Sequence, residues 1–305
     1  MTGVSRRVRE VTRRFRRYVT SEQRVKRHKS RFLRAAVSMT PYVVADKATG
    51  LFLVPTLGGE KLFADSSRGE FVTLERAVHI LHASELLTGG GTIVDVGANI
   101  GTTTVPALSV HGFDRAVAIE PDPENCLLLR VNVALNDLYG RVSVVSAAAS
   151  SHAGKAKFDR IRDVRRPHQI GSGRLTGDSA SNLLDVETVS LDQLIERQVI
   201  DPEQTRLLWL DVQGHEDEVL FGAMGLIRRQ VPIVLALRPH LLGRPAALAE
   251  LLREHYDVLI DLRYPTLKSG WEPCVEPIAG LEGRFGKRLS TDVLVHRAGR
   301  RTVTS

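Results

Sequence analysis

From residue 92 onward the chain alternates short apolar runs with stretches whose apolar residues recur every three or four positions. The first pattern is typical of buried β-strands, and the second is typical of helices that cover a sheet. The runs that predict strands are Thr92–Val96, Ala116–Glu120, Val142–Ser146, Leu207–Val212, Ile233–Leu237, Asp257–Leu262 and Thr291–His296. The stretches that predict helices lie at about Thr102–Ser109, Glu124–Asn136 and His215–Arg229. This alternation predicts a doubly wound α/β fold, whose parallel sheet is covered on both faces. The last run follows no long helix, so we expect its strand to be antiparallel.

The segment between the third and fourth of these runs has a looser pattern. Lys155–Phe158 and Val186–Val189 predict strands, and a helix is expected to begin at Ser190. The polar, glycine-containing segment Arg160–Ser181 predicts a long surface loop near the open end of the sheet.

The residues before the first run predict an N-terminal extension. Alternating apolar residues in Tyr42–Ala45 and Leu51–Val54, with Gly50 between them, predict a hairpin, and Lys61–Ala64 is a candidate third strand. Helical spacing of Phe71, Leu74, Val78, Leu81 and Leu86 predicts a helix that ends before three consecutive glycines. We therefore divide the chain into an extension at 1–88, a domain at 89–299 and a tail at 300–305.

The first 34 residues form a basic arm. They hold 13 Lys and Arg against two Glu, whereas the remaining residues hold 29 basic and 33 acidic side chains. Val4, Val8, Val11, Phe15 and Tyr18 would share one stripe of a helix with arginines on its other faces. Such an amphipathic helix could contact an anionic membrane surface, a nucleic acid or a second chain. It could equally be a solvated extension, and Arg-rich leaders also target mitochondria.

Composition excludes several classes of protein. The 305 residues are 43% hydrophobic and 25% charged, enough for a real core. No apolar run reaches the roughly 18 residues of a membrane span, and arginines stand where a secretory signal is apolar. Cys126 and Cys274 supply neither a disulfide framework nor a four-ligand zinc site. We therefore expect a cytoplasmic protein that is membrane-peripheral only if the arm binds lipid.

A glycine-containing turn follows the first predicted strand. Its sequence is Ile93-Val94-Asp95-Val96-Gly97-Ala98-Asn99-Ile100-Gly101. We expect this turn to bring bare backbone N–H groups to the carboxyl edge of the sheet, where ligands bind in α/β folds. Gly97 and Gly101 would allow a ligand to approach the backbone closely. Asn99 and Thr102 stand where a dinucleotide fingerprint needs glycines, which disfavours NAD.

Two carboxylates accompany the turn. Glu120 ends the second predicted strand, 19 residues after Gly101, and a carboxylate there is suited to accept both hydroxyls of a ribose. Asp95 lies within an apolar strand, where a carboxylate needs partners. It could bind the turn's N–H groups or the ammonium group of a ligand. This pair favours a cationic amino-acid nucleoside such as S-adenosyl-L-methionine over a diphosphate.

Three blocks of sequence resemble the FkbM-type S-adenosylmethionine-dependent methyltransferases and occur in that family's order over about Thr92–Arg297. The blocks are Val94-Asp95-Val96-Gly97-Ala98-Asn99-Ile100-Gly101, Ile119-Glu120-Pro121-Asp122-Pro123-Glu124-Asn125, and Leu210-Asp211-Val212-Gln213-Gly214-His215-Glu216 with Glu218-Val219-Leu220. The resemblance implies a class I methyltransferase (Rossmann-like) fold of seven strands with the last antiparallel, here preceded by the basic helix and β-hairpin extension.

The resemblance also implies a cofactor site for S-adenosyl-L-methionine. The cofactor would lie over the Asp95–Gly101 loop, with Glu120 on the ribose and Asp122 or Ser146 near the adenine. The candidate cofactor-binding residues are Asp95, Gly97, Ala98, Asn99, Gly101, Glu120, Pro121, Asp122 and Ser146.

The third block holds the candidate catalytic residues Asp211, His215 and Glu216. Methyl transfer to a hydroxyl needs alignment and removal of a proton. Asp211 and His215 are the acid/base candidates, and the pKa of an imidazole lies near neutral. Alternatively, Asp211 caps the following helix and His215 is a solvated residue of its first turn.

Two positions depart from the family pattern. Relatives usually have Glu where this chain has Gln213, and commonly an acidic residue where it has Arg238. The first change weakens any metal bridged between Gln213 and Asp211, and we expect no metal site. Arg238 could orient an anionic acceptor such as a uronate or a phosphate-bearing lipid, or, like His240, form a surface contact.

Three functions are consistent with these features. The first is O-methylation of a hydroxyl on a sugar, glycolipid or secondary metabolite, an acceptor class that the resemblance supplies. The second is methylation of RNA that the basic arm binds. The third is a non-catalytic module that binds the cofactor and a partner.

Overall fold

The computed structural model describes residues 40–56, 70–160, 173–176, 183–263, 266–267, 270–285 and 290–298. The basic arm and the candidate strand Lys61–Ala64 lie outside them. The strands are β1 Tyr42–Lys47, β2 Gly50–Pro55, β3 Thr92–Val96, β4 Arg115–Ile119, β5 Val142–Val145, β6 Ala148–Ala149, β7 Gly154–Arg160, β8 Gly173–Thr176, β9 Leu183–Val189, β10 Thr205–Leu210, β11 Ile233–Leu237, β12 Val258–Asp261, β13 Thr266–Leu267, β14 Gly270–Trp271, β15 Val275–Pro277 and β16 Thr291–His296.

The helices are α1 Glu70–Ala83, α2 Thr104–Ser109, α3 Pro123–Leu135, α4 Leu191–Glu196, α5 Glu216–Phe221, α6 Met224–Ile227, α7 Pro245–His255 and α8 Glu282–Phe285. Short 3₁₀ turns lie at Pro239–Leu241 and Ile278–Leu281.

The central sheet confirms the predicted fold class. Its strand order is β15-β12-β16-β11-β10-β3-β4-β5. Strands β10, β11, β3, β4 and β5 are parallel, and β16 runs antiparallel to both β11 and β12. Seven strands thus have the class I order with one reversed strand, and β15 adds an antiparallel edge. Every residue of β3, β11 and β16 is buried, including the polar residues Asp95, Asp292 and His296.

Two apolar cores lie on the two faces of this sheet. The hairpin, α1, α2 and α3 contribute to one core, and α5, α6 and α7 contribute to the other. Phe52 and Val54 of the hairpin are fully buried in the first core. The predicted extension therefore packs directly against the sheet.

Two predictions about the elements are wrong, and one helix was not predicted. The helix expected at His215–Arg229 is two short helices, α5 and α6, and Gly222, which ends the first, lies where a Cβ would come within 2.4 Å of the Ser150 carbonyl oxygen. The segment Arg160–Ser181, expected as a loop, contains the strand β8. Helix α7 has no counterpart among the predicted helices.

A second, four-stranded sheet is inserted between β5 and β10. Its order is β6-β9-β7-β8. The predicted strands Lys155–Phe158 and Val186–Val189 lie within β7 and β9. Ser190 caps α4 as expected and forms a reciprocal capping box with Gln193.

Asn132 of α3 and Asn136, the residue that follows this helix, bind the open edge of the hairpin. The Asn132 and Asn136 side chains accept hydrogen bonds from the N–H groups of Leu53 (2.6 Å) and Leu51 (2.9 Å). One helical turn between them spans about 6 Å, close to the spacing of alternate strand residues, so both reach β2. Asn132 also donates to the carbonyl oxygen of Ile100 (2.8 Å) in the turn after β3.

No helix among the described ranges combines the length and apolar composition that a membrane crossing requires.

Replacing Asn132 with alanine should destabilise the protein. The side chain is fully buried, so its loss leaves the Leu53 N–H and the Ile100 carbonyl without these partners. We expect the free energy of unfolding in urea to fall by about 2–4 kcal/mol. Arg130→Ala on the exposed face of the same helix is the control and should change it by less than about 0.5 kcal/mol. Equal effects of the two variants would contradict the role of Asn132.

Candidate active site

Three chain segments meet at the carboxyl edge of the central sheet. The register pairs Val96 of β3 with Ile119 of β4 and with Leu210 of β10. The next residues, Gly97, Glu120 and Asp211, therefore lie in one row across three adjacent strands. This row brings the candidate cofactor and catalytic residues to a single edge, as ligand sites of α/β folds require.

The turn after β3 does not present the bare N–H groups that we expected. The N–H groups of Gly97 and Ala98 both donate to the carbonyl oxygen of Ile119 (2.9 and 3.1 Å). The Gly101 N–H donates to the Ala98 carbonyl (2.8 Å), and the Asn99 N–H donates to the Glu120 carboxylate (2.9 Å). The end of β4 thus occupies the Gly97, Ala98 and Asn99 donors, and the Gly101 donor is bonded within the turn.

Both glycines of the turn are required by the chain's own packing. Gly97 has a φ of +83°, and a Cβ there would lie 2.2 Å from the Asp211 carbonyl oxygen. Gly101 has a φ of +93°, and a Cβ would lie 2.8 Å from the Leu129 side chain. Close approach of protein, not only of ligand, therefore explains these positions.

Glu120 is a buried carboxylate held by three donors. One oxygen accepts from the Asn99 N–H, and the other accepts from the Asp122 N–H (2.9 Å) and the Asn125 amide (3.2 Å). The side chain is almost inaccessible, and this desolvation raises the pKa of Glu120 to about 7 despite the hydrogen bonds. Pro121, partly exposed, follows it at the same edge.

Asp122 is engaged by residues of the second sheet. Arg160, at the end of β7, donates to both Asp122 oxygens (2.5 Å each) in a bidentate ion pair. Asp122 also caps α3 by accepting from the Glu124 N–H (2.8 Å). Its carboxylate is therefore committed to holding the second sheet against the start of α3.

Ser146 lies on the other side of Glu120. Its hydroxyl donates to the Cys126 thiol (3.1 Å), which donates to the Glu120 backbone carbonyl (3.0 Å). The structure thus brings Ser146, Asp122 and Glu120 together at the ends of β4 and β5, as the sequence predicts.

Two polar groups remain beside the turn. Asp95 is buried within β3 and accepts a hydrogen bond from the Thr104 hydroxyl (2.5 Å). The side-chain oxygen of Asn99 is buried without a hydrogen-bond partner, and Asn99 has a φ of +52°. An orphaned acceptor next to a buried carboxylate fits a ligand that donates hydrogen bonds, such as a ribose or an ammonium group.

Asp211 is anchored through one oxygen. Its Oδ1 accepts from the Gln213 side-chain amide (2.7 Å) and from Arg238 Nη1 (3.2 Å). No described residue binds Oδ2, and 22% of the side chain is exposed. Desolvation raises the pKa of Asp211, and the Arg238 charge opposes that rise. The result is a fixed carboxylate with one open oxygen and increased basicity.

His215 belongs to a different group of side chains. Its Nε2 lies 3.1 Å from the Ser150 hydroxyl at the end of β6. Burial lowers the pKa of His215, and the charges that act on it are Glu218, Asp217 and His152. The charges that act on Asp211 are Arg238, Asp292 and Arg263, so the two acid/base candidates face different surroundings.

Glu216 is completely buried. Both of its oxygens accept from the Gly214 N–H (3.1 and 3.0 Å), and desolvation raises the pKa of Glu216 to about 7. It therefore shapes the loop after β10 and does not reach a substrate in this conformation.

Sequence reasoning missed two partners of the candidate residues. Gln213 stood out only as a departure from the family pattern, yet its amide fixes Asp211. Arg160 was assigned to a loop, yet it binds Asp122 from 38 residues away. An arginine two residues after the predicted strand Lys155–Phe158 was the available signal for the second contact.

Comparisons with known proteins add a family assignment. Residues 95–259 match the family model described as methyltransferase FkbM domain. No curated protein matches the chain significantly.

Several solved structures are similar to the chain. Methyltransferase FkbM from Methylobacillus flagellatus KT shares 14% identity with a TM-score of 0.42, over 87% of this chain and 58% of that one. The chain thus spans little more than half of that protein. A SAM-dependent methyltransferase from Agrobacterium tumefaciens shares 10% identity with a TM-score of 0.42, over 86% and 72%. The P. horikoshii protein TYW2, in complex with MeSAdo, shares 14% with a TM-score of 0.40, over 84% and 72%.

The raised pKa of Glu216 predicts a pH-dependent stability. The folded state holds this proton up to about pH 7, whereas an unfolded Glu releases it near about pH 4.3. The stabilising contribution is therefore full below about pH 4.3 and is lost as the pH rises through about 7, by up to about 3 kcal/mol. We expect Glu216→Gln to gain stability relative to the wild type between pH 5 and pH 8 in urea unfolding.

Glu218→Gln is the matched control. Hydrogen bonds from Ser151 and Arg244 outweigh burial and lower the pKa of Glu218, so its ionisation is complete throughout pH 5–8. Because Glu218 also acts on the pKa of His215, which burial lowers, the comparison is made at pH 7–8, above the titration of that imidazole, where the stability difference between Glu218→Gln and the wild type should stay constant. A constant difference for Glu216→Gln as well would show that its carboxyl does not titrate there.

Proposed function

The chain belongs to the methyltransferase FkbM domain family, and we propose that it transfers a methyl group from S-adenosyl-L-methionine to a hydroxyl of a small molecule or glycan. A sugar, a glycolipid and a secondary metabolite are the acceptors we favour. The observation that carries the proposal is the placement of Glu120 and Asp211, which end the two strands on either side of β3.

The Glu120 side of this row supports cofactor binding. Its Oε2 accepts one hydrogen bond, from the Asn99 N–H, which leaves an acceptor position for a ribose hydroxyl. The partnerless Asn99 oxygen is a second acceptor beside it. Asp95 contributes negative charge below the turn, which favours a cationic ligand over a diphosphate. When bound, S-adenosyl-L-methionine supplies an electrophilic methyl group.

The Asp211 side supports removal of a proton from the acceptor. Gln213 and Arg238 hold Oδ1, so Oδ2 is oriented and available to accept a proton from a hydroxyl. Because desolvation raises the pKa of Asp211, this oxygen is a stronger base than an ordinary carboxylate. We therefore assign the base to Asp211 and give Glu216 a positioning role in the loop.

His215 is the weaker candidate for the base. Its ring faces Ser150 and the second sheet, and none of the charges that act on it is shared with Asp211. The RNA and membrane contacts of the arm, and the non-catalytic alternative, stay predictions from the sequence.

Replacing Glu120 should weaken cofactor binding. Glu120→Gln keeps the shape of the side chain but removes the charge and one acceptor oxygen. Isothermal titration with S-adenosyl-L-methionine should give a micromolar dissociation constant for the wild type and one at least about tenfold weaker for the variant. Glu124→Gln, which removes a half-exposed carboxylate nearby, is the control and should stay within about twofold. Absence of binding to the wild type would refute the proposed function.

Replacing Asp211 should slow catalysis without weakening cofactor binding. Asp211→Asn keeps an oxygen for the existing hydrogen bonds but removes the base, so we expect the rate to fall by about 10²–10⁴. The assay follows transfer of label from S-adenosyl-L-methionine into the small molecules of a cell extract, with mass spectrometry of the product. His215→Gln should reduce the rate by less than about fivefold. The reverse ranking of the two variants would assign the base to His215, and no transfer by the wild type would favour the non-catalytic alternative.

A further inference from the structure

Arg238 has an unused binding edge next to Asp211. Its Nη1 donates to Asp211 Oδ1 (3.2 Å) and to the Ala236 carbonyl (3.1 Å). A guanidinium has five donors, and no described residue accepts from Nε or Nη2. The free Nε–Nη2 edge has the geometry that binds a carboxylate or phosphate through two parallel hydrogen bonds.

The arginine is held in place by the chain around it. Its carbonyl accepts from the Leu241 N–H (2.9 Å), and Pro239 begins the 3₁₀ turn that follows. Only 21% of the side chain is exposed. A guanidinium that is mostly removed from water, with three donors unused, gains more from an anionic partner than an exposed arginine does.

Nearby charges are balanced, so an added anion does not meet an excess of carboxylates. Arg238 faces Asp211, and Arg263 donates to Asp292 (2.7 Å). Asp292 and Arg263 also affect the pKa of Asp211, so the two ion pairs Arg238–Asp211 and Arg263–Asp292 lie in the same region. Glu216 is buried with its oxygens on the Gly214 N–H, and desolvation weakens its ionisation.

We propose that the methyl acceptor is an anion whose carboxylate or phosphate binds the Nε–Nη2 edge of Arg238. This inference rests on the proposed function and narrows its substrate class. Because Nη1 of the same guanidinium holds Asp211 Oδ1, the anionic group and the open Oδ2 lie on neighbouring sides of one ion pair. The methylated hydroxyl therefore lies within a few bonds of the acid group, as in a uronic acid or a sugar phosphate. Arg238 is a specificity-determining residue in this assignment.

Binding of three matched sugars tests the proposal. D-glucuronate, glucose 6-phosphate and glucose differ only at C6. This carbon is a carboxylate in the first, bears a phosphorylated hydroxyl in the second and bears a neutral hydroxyl in the third. Their affinities are measured by titration calorimetry on the full chain, with and without S-adenosyl-L-methionine. We expect at least one anion to bind at least about tenfold more tightly than glucose. Whichever anion binds more tightly indicates whether the acceptor carries a carboxylate or a phosphate.

Three variants attribute the preference to the guanidinium. Arg238→Gln should reduce it to within about twofold, and Arg238→Lys should retain part of it because an ammonium keeps the charge but not the planar edge. Arg229→Gln removes an exposed arginine that pairs with Glu203 before β10, at the opposite edge of the sheet, and should leave the preference unchanged. Thermal unfolding of each variant reports whether it is folded.

Several results would overturn the inference. These are equal binding of all three sugars, no binding of either anion, or a preference that survives in folded Arg238→Gln. The cofactor titration on the same samples separates the two proposals. Absence of S-adenosyl-L-methionine binding refutes the proposed function whether or not the anion preference is present, whereas cofactor binding without an anion preference refutes this inference alone.

Discussion

The absence of a side chain at Gly97 is the constraint on which the site depends. The Asp211 N–H donates to the Val96 carbonyl (3.0 Å), and the Asp211 carbonyl passes over Gly97 at a distance that no Cβ permits. This contact sets the end of β10 directly against the turn after β3. Since that turn also binds Glu120 through the Asn99 N–H, one backbone contact links the two carboxylates on either side of β3.

The backbone N–H groups of the turn after β3 form hydrogen bonds within the protein and are therefore not free to bind a ligand. The N–H groups of the turn are bonded to Ile119, Ala98 and Glu120. The groups left for recognition are the side-chain oxygens of Asn99, Glu120 and Asp211 and, next to Asp211, the free Nε–Nη2 edge of Arg238. The oxygens are acceptors that suit hydroxyl-rich and cationic ligands, and the guanidinium edge suits a carboxylate or phosphate.

The fold and the position of the site were largely predictable, because they follow from local patterns. Continuous apolar runs marked β3 and β11 with their observed bounds, and Glu120 and Asp211 stood where those patterns placed the strand ends.

The contacts between distant residues were not predictable in this way. Neither the pairing of Arg160 with Asp122 nor the separate surroundings of Asp211 and His215 leave a periodic signal. The tight contact at Gly222 was hidden as well, because a Cβ there would meet the Ser150 carbonyl oxygen, which belongs to a segment distant in the sequence. Helix α7 was overlooked despite Pro245 at its first position and apolar residues one turn apart at Leu248 and Leu252.

The contacts of Asn132 and Asn136 make the hairpin an integral part of the fold. Asn132 joins β2 to Ile100, so one amide connects the hairpin to the turn after β3. A fragment limited to residues 95–259, which match the family model, would lack the hairpin. It would expose the apolar surface against which Phe52 and Val54 pack and would lose the contact between β2 and Asn132. Shortening this protein from its amino end would therefore loosen the turn after β3, even though every residue proposed to touch the cofactor is retained.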